Sequence, residues 1–456
     1  MKVVKFGGSS LANGEQFKKV IAIVTAQPER QAVITSAPGK RFSDDIKVTD
    51  LLITYAEQFL NYLDTKKIQE KIFDRYQEIA QTFELPTEQL TWLKKELQQL
   101  QERTYPSAEY LLAAFKAHGE YFNARLLTLI LNHLKIKARF IDPREVGLLV
   151  SSDSNDATVL PVTYENLARL DYTDEKLIFP GFFGVTKEGE IATFSRGGSD
   201  ITGAIVARGL NAELYENFTD VDAIYATDPR LVQDPYAVTK MTYREMRELS
   251  YAGFSVFHDE AIVPAIEGRV KINVKNTNHP ERPGTMIIPY QEFTPITPIT
   301  GISSAKHFSA LYLHKFLLNK ETGFTLKILN ILYKYGISYE HMPSGIDDLT
   351  IIFDNSQLTE AKRKAVSRDI RAVIQPDELR WIDDYALIMV VGEGMINRIG
   401  IMKDVILAIS DHNINIHMIN QGSSEVSIML GTKSADADKA VKYIYEAFFE
   451  QKYSSR

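Results

Sequence analysis

Met1-Lys2-Val3-Val4-Lys5-Phe6-Gly7-Gly8-Ser9-Ser10 decides how the first half of the chain reads: an apolar strand, two adjacent glycines, then residues that lead into a helix. Phe17, Val20, Ile21 and Val24 recur at helical spacing directly after it. Further strand candidates lie at residues 32–35, 137–141, 176–179, 191–193, 212–215 and 270–274, several of them followed by helical patterns. Strands and helices alternating in this way predict an α/β domain with a largely parallel sheet over residues 1–295. Residues 51–134 interrupt the rhythm. They are rich in Leu, Gln, Glu, Lys and Ala, and their helical periodicity predicts a helical insertion that acts as a lid or as scaffold.

The first turn has a chemistry of its own. Two glycines let the backbone approach a ligand closely, their N–H groups can face phosphate oxygens, and the following helix adds its positive end. Lys5 stands where it can neutralise a transferring phosphoryl group. The plainer reading is a turn and nothing more. There is no GxxxxGK[ST] in the chain, and the turn is not GxGxxG, so neither a P-loop nor a dinucleotide fold is expected.

A second turn of the same kind is Phe194-Ser195-Arg196-Gly197-Gly198-Ser199-Asp200. Arginine suits bidentate capture of a carboxylate. Asp200 suits an ammonium group or a metal-bound phosphate, or else it simply favours the helix dipole. A third segment runs from Thr219 and Asp220 through Tyr225 to Asp228-Pro229-Arg230. Tyr225 can stack on a base, Thr219 and Asp220 can bond to base or ribose, and Arg230 can reach phosphates. The competing reading is a surface loop with a solvated arginine.

The bulk composition narrows the partners. The chain has 456 residues, 45% apolar and 24% charged, with a formal net charge of −7. That balance gives no general attraction to nucleic acid or anionic membrane. There is no cysteine, which removes disulfides, thiolate nucleophiles and cysteine-based metal sites. No apolar run approaches a membrane span and the first ten residues do not read as a signal peptide, so a cytoplasmic protein is expected. The nine histidines show no HxxxH or HExxH spacing, so no protein-ligated metal centre is expected.

Residues 289–298, with three prolines, read as a linker. Beyond it lies an internal repeat. Gly323 superimposes on Gly400 at an offset of 400 − 323 = 77. Without gaps, Gly336-Ile337-Ser338 then falls on Asn413-Ile414-Asn415, and Leu311-Tyr312-Leu313 on Ile388-Met389-Val390. Each copy, at 300–384 and 385–456, reads as a ferredoxin-like βαββαβ unit.

Taken together, the segments KFGG at 5–8, HGE at 118–120, RGGSD at 196–200, TDVDAIYATDPR at 219–230 and PGT at 283–285 resemble the aspartate kinase family in order and spacing. The resemblance covers nearly the whole chain. It implies an amino-acid-kinase (carbamate-kinase-like) three-layer αβα domain followed by two ACT domains. The implied reaction is transfer of the ATP γ-phosphoryl group, with Mg²⁺, to the side-chain carboxylate of L-aspartate. That is the first step of lysine, threonine and methionine biosynthesis. Lys5, Phe6, Gly7 and Gly8 match the motif that binds ATP phosphates, with Lys5 stabilising the transferred group. Arg196, Gly197, Gly198 and Ser199 match the aspartate-binding turn, with Arg196 on the α-carboxylate and Asp200 beside it. Glu120 and Thr49 match substrate-contacting positions, and Thr219, Asp220, Tyr225 and Arg230 match the nucleotide segment. The tandem ACT pair implies feedback by lysine and/or threonine and a homodimer or higher homo-oligomer. Candidate effector contacts are Gly323, Phe324, Thr325, Tyr339 and Glu340, with Phe324 equally readable as a core residue beside Ile328, Leu329 and Leu332.

Two departures from the family pattern stand out. Ser255 occupies a position where many members have a lysine, and Lys271, Lys275, Lys40, Arg41 and Lys47 are the available replacements. The segment 36–47 is longer than usual. Other readings are a glutamate or acetylglutamate kinase of the same fold, or a catalytically inactive amino-acid sensor.

Overall fold

The computed structural model describes residues 1–171, 174–195, 197–251, 253, 254, 257 and 259–450. Arg196 and Ser255 lie outside the described residues. The chain divides into two compact units. One comprises residues 1–224, 237–247 and 255–293, and the other residues 225–236, 248–254 and 294–456. The main boundary, at 293/294, falls within the expected linker. Two short segments, 225–236 and 248–254, that precede the linker count with the second unit, which no local pattern foretold.

The first unit is built on an eight-stranded sheet. Its order is Lys240–Thr242, Thr285–Ile288, Lys271–Asn276, Leu214–Thr219, Lys2–Phe6, Arg30–Thr35, Lys176–Pro180 and Ala138–Phe140. The last six run parallel, and the two strands at the other edge run against them. The central strands are buried on both faces, as Val3, Val4, Phe6, Ala32, Val33 and Ile34 require. Ile191–Thr193, expected as another strand, instead forms a small antiparallel pair with Phe183–Val185.

Helices cover both faces. Gly198–Gly209 packs against the strands on the face bearing Lys5, and Gly14–Ala26 with Ala108–His133 covers the other. The insertion folds as Val48–Leu60, Lys66–Gln81, Thr91–Glu102 and Ala108–His133. Its apolar side chains form one continuous core with Val4, Phe6, Val33 and Ile178 of the sheet, so it is scaffold rather than a detached lid. Tyr55 and Tyr76 are fully buried there and donate to the Leu97 and Gly119 carbonyls at 2.7 and 2.8 Å.

The second unit bears out the repeat. Helices Phe324–Lys334 and Ile401–Ser410 begin after Gly323 and Gly400, at φ 76° and 95°. Gly336 and its counterpart Asn413 share a left-handed φ of 59° and 58°. The copies are not separate sheets. The strands Gly301–His314 and Glu378–Val391 are long enough to serve both, giving one five-stranded antiparallel sheet that also holds Asp348–Asp354, Ser427–Thr432 and Met418–Asn420. Residues 301–305 pair with 387–391 of the second copy, and register irregularities follow before 308–314 join the first. Phe324 belongs to the core of the first copy with Ile328 and Leu332, as the alternative reading of that position expects. No helix among the described residues is long and apolar enough to cross a membrane.

Candidate active site

In a parallel sheet the free peptide groups at the carboxyl ends of the strands make a natural ligand crevice. Here Lys2–Phe6, Arg30–Thr35, Lys176–Pro180 and Leu214–Thr219 end side by side. A cavity of about 250 Å³ lies beyond them, lined by Lys5, Gly7, Gly8, Ser36, Thr49, Glu120, Phe182, Ser195, Gly197, Gly198, Ser199 and Asp200. Nine of these twelve are residues that the sequence singles out.

Lys5 is nearly buried. Its Nζ lies 2.5 Å from Asp200 Oδ1 and donates to Asn217 Oδ1 at 3.3 Å. Asn217 closes the triangle, its Nδ2 donating to Asp200 Oδ1 at 3.0 Å. The pair sets one cation and one anion side by side on the cavity wall.

Close backbone approach explains the glycines. Gly39 N–H donates to Gly8 O at 2.8 Å, and a Cβ on Gly39 would sit 2.6 Å from the Gly8 carbonyl carbon. Gly197 adopts φ 76° as the cap of Gly198–Gly209, which starts inside the cavity and offers it a helix N-terminus. The first turn departs from expectation. Gly7 N–H is already committed to Phe218 O at 3.1 Å, and Ser9–Leu11 is a 3-10 turn, with the α-helix starting only at Gly14 under its own Asn13 cap. The second turn, not the first, supplies a helix end to the site.

Glu120 stands on the long helix Ala108–His133 and is 6% exposed, with Oε2 unpartnered. Burial raises its carboxyl pKa to about 8, against a smaller pull downward from the Ala37 backbone N–H that bonds to it. His118, two residues earlier, is buried with Nδ1 2.6 Å from Ala114 O, and burial lowers its pKa to about 3. Burial keeps its ring neutral.

Other expected residues are not gathered in this cavity. Thr219 lies at the end of its strand, where its Oγ1 accepts from Val221 N–H at 3.1 Å. The Asp220 carbonyl accepts from Asn276 Nδ2 at 3.3 Å. Tyr225 and Arg230 belong to the second unit, where Arg230 forks onto Asp228 at 2.5–3.0 Å. Among the replacements for a missing lysine, Lys271 pairs with Glu292 at 2.7 Å, and Arg41 holds Asp45 and Glu78. Lys275 pairs in register with Phe218, one residue out of step with the Lys5–Asn217 pair, so it projects from the opposite face of the sheet. Lys40 and Lys47 are exposed.

Ser36, Phe182, Ser195 and Asn217 were not singled out from the sequence. Asn217 carried a faint signal, an amide next to a glutamate inside a buried strand of the sheet. Phe182 holds a left-handed φ of 76°, its N–H bound to Thr202 Oγ1 at 3.0 Å, a strained geometry of the kind found at functional sites.

Similarity to known proteins agrees with this geometry. The sequence profile of the Amino acid kinase family matches residues 1–276, and that of the ACT domain matches residues 388–448. Aspartokinase 3 of Bacillus subtilis is 47% identical over 449 residues, covering 98% of this chain and 99% of its own. The crystal structure of Clostridium acetobutylicum aspartate kinase aligns with a TM-score of 0.88 at 39% identity, covering 98% of this chain and all of that one. Escherichia coli aspartokinase III, solved with aspartate and ADP, shares the fold with a TM-score of 0.79 at 23% identity over 99% of this chain and 100% of that one.

Proposed function

The chain belongs to the aspartokinases of the amino acid kinase family, and from that premise we propose how its residues phosphorylate L-aspartate. The cavity at the strand ends, which joins Lys5 and Asp200 to Glu120, Thr49 and Gly197–Ser199, carries the reading. The side-chain carboxylate of aspartate has an ordinary pKa of about 4 and is ionised at neutral pH, so attack on the γ-phosphorus of ATP needs no general base. The carboxylate oxygen forms a bond to phosphorus, the bond to the β,γ-bridging oxygen breaks, and 4-phospho-L-aspartate and ADP result. Lys5 follows the charge on the equatorial oxygens. Arg196 and Glu120 hold the α-carboxylate and α-ammonium groups, with Thr49 and Ser199 orienting the substrate. Thr219, Asp220, Tyr225 and Arg230 hold the nucleotide.

Mg²⁺ needs only one or two carboxylates when it rides on substrate phosphates, and Asp200 is the carboxylate in place for it. The ion would neutralise the β- and γ-phosphates. Among the described residues no group of three His, Cys, Asp or Glu makes an all-protein site, as this mode of binding allows.

The test is ADP release from Mg·ATP with L-aspartate, L-glutamate or N-acetylglutamate as acceptor. Turnover with aspartate alone is expected, and turnover with either other acceptor in its place would overturn the assignment. Glu120 gives the reaction a pH signature. If the ionised form alone receives the α-ammonium, KM for aspartate falls about tenfold for each pH unit between 6 and 8 and then levels. Glu120→Gln should raise KM and flatten that slope. A slope that survives the substitution belongs to another group.

Lysine and/or threonine acting at the second unit accounts for the ACT repeat. Glu340, a candidate effector contact, accepts a hydrogen bond from the Tyr251 hydroxyl, and the Tyr251 ring meets His341 edge-on at 6.3 Å. Tyr251 sits in the 248–254 segment that leads directly into position 255. An effector amine that claims Glu340 would release Tyr251. Tyr251→Phe is therefore expected to move the inhibition midpoint about tenfold or more and leave uninhibited turnover within about twofold, since one hydrogen bond to a carboxylate is worth about 1.5–3 kcal/mol. Coinciding inhibition curves would remove Tyr251 from the relay.

A further inference from the structure

Asn123 lies one turn beyond Glu120 on Ala108–His133 and is fully buried. Its Nδ2 donates to Ser36 O at 2.7 Å. Ser36 C=O and Ala37 N–H are the two ends of a single peptide group, and that N–H faces the Glu120 carboxylate and, after burial, has the largest influence on its pKa, pulling it down. Residues three apart on a helix share a face, so one face of the helix clamps both ends of one peptide plane. The clamp has no slack on either side. A Cβ on Gly119 would come within 2.7 Å of Ala37 Cβ, while Ser36 N–H is tied to Phe6 O at 3.2 Å. Asn123 Oδ1, by contrast, is buried with no partner, a cost that an apolar residue would avoid. What the side chain contributes here is its donor.

We propose that Asn123 is a positioning residue for the aspartate site, fixing the Ser36–Ala37 peptide so that its N–H stays on Glu120 and its serine stays on the cavity wall. This rests on Glu120 receiving the substrate ammonium. Without Asn123 the carbonyl end of the peptide is unheld, the Ala37 N–H can drift from the Glu120 carboxylate and leave it only its own backbone N–H, and its ionised form becomes harder to reach. The titratable groups around Glu120 do not substitute for that donor. Tyr76, from Lys66–Gln81, spends its hydroxyl on Gly119 O, and Lys5 and Asp200, across the cavity, are paired with each other. Thr49 and Ser199 carry no charge.

The test compares wild type, Asn123→Leu (similar volume, no donor) and Asn123→Ser (a shorter donor) in the full chain. Circular dichroism and a melting curve establish that each variant is folded. For Asn123→Leu the expected result is a KM for aspartate about tenfold higher at pH 7.5, with the midpoint of its pH profile about one unit higher. kcat at saturating aspartate and KM for ATP should stay within about twofold, as the residue touches neither the nucleotide nor the reacting atoms. Asn123→Ser should recover part of the loss. An equal fall in kcat and kcat/KM, or an unmoved midpoint, overturns the proposal. Wild type that does not turn over aspartate would instead overturn the reading of Glu120 itself.

Discussion

Lys5→Ala lowers kcat for aspartate phosphorylation by about 10²–10³-fold, the usual cost of removing one preorganised donor from a developing anionic transition state. The effect falls on kcat more than on KM for aspartate, because Lys5 acts on the phosphoryl group in flight and the amino acid is held by other residues. The neighbours sharpen the expectation. Asp200 loses its cation at 2.5 Å, and Asn217 alone remains to meet it. A second substitution, Asp200→Asn, therefore adds less to Lys5→Ala than it costs in the wild type, since two members of one network are not additive. Lys5→Arg keeps the charge, yet a guanidinium is bulkier where the ammonium lies 3.7 Å from the place of a Gly7 Cβ, so only partial activity returns. Single-turnover ADP release reads the chemical step directly. A kcat within tenfold of wild type for Lys5→Ala would mean that Lys5 is a structural partner of Asp200 and not a transition-state donor.

Legibility in the sequence followed the range over which each signal acts. The repeat could be read because its cues are local. A left-handed position must be glycine or one of the few residues that tolerate it, so Gly336 could become Asn413 while the offset of 77 held. The strand–Gly-Gly–helix turn at 197–198 was legible for the same reason. Asn217 was not, because its role depends on the register that sets it beside Lys5 across two strands far apart in sequence. Position 7 misled for a related reason: Gly7 N–H looks free from the sequence, but Phe218 O takes it. The segments 225–236 and 248–254 pack with the regulatory half through contacts that no window of local pattern samples. The pairing of 301–305 with 387–391 is likewise long-range, and periodicity alone would have closed each copy upon itself.

The largest stability effect is expected on the face of the sheet opposite Lys5. Arg30 and Glu216 are each about 4% exposed at their side chains and meet through two parallel bonds, Nε to Oε2 at 2.7 Å and Nη2 to Oε1 at 2.9 Å. Arg30 Nη1 also donates to Ile23 O at 2.7 Å, tying the helix Gly14–Ala26 to the sheet, and the guanidinium lies 5.4 Å from the Phe218 ring centre. Desolvating both ions offsets most of their attraction, so the pair need not add much net stability. Breaking it is another matter, because the survivor stays buried with its charge unmet. Glu216→Ala is expected to cost about 3–5 kcal/mol and to lower the melting temperature of the first unit by roughly 6–20 °C. Arg30→Met combined with Glu216→Leu should recover much of that loss, since apolar replacements of similar size leave no orphan charge. Urea unfolding of the single and double variants decides between the two costs. If the double variant is no better than Glu216→Ala, the pair's value lies in its geometry, above all the tie to Ile23 O, rather than in avoiding an unpaired ion.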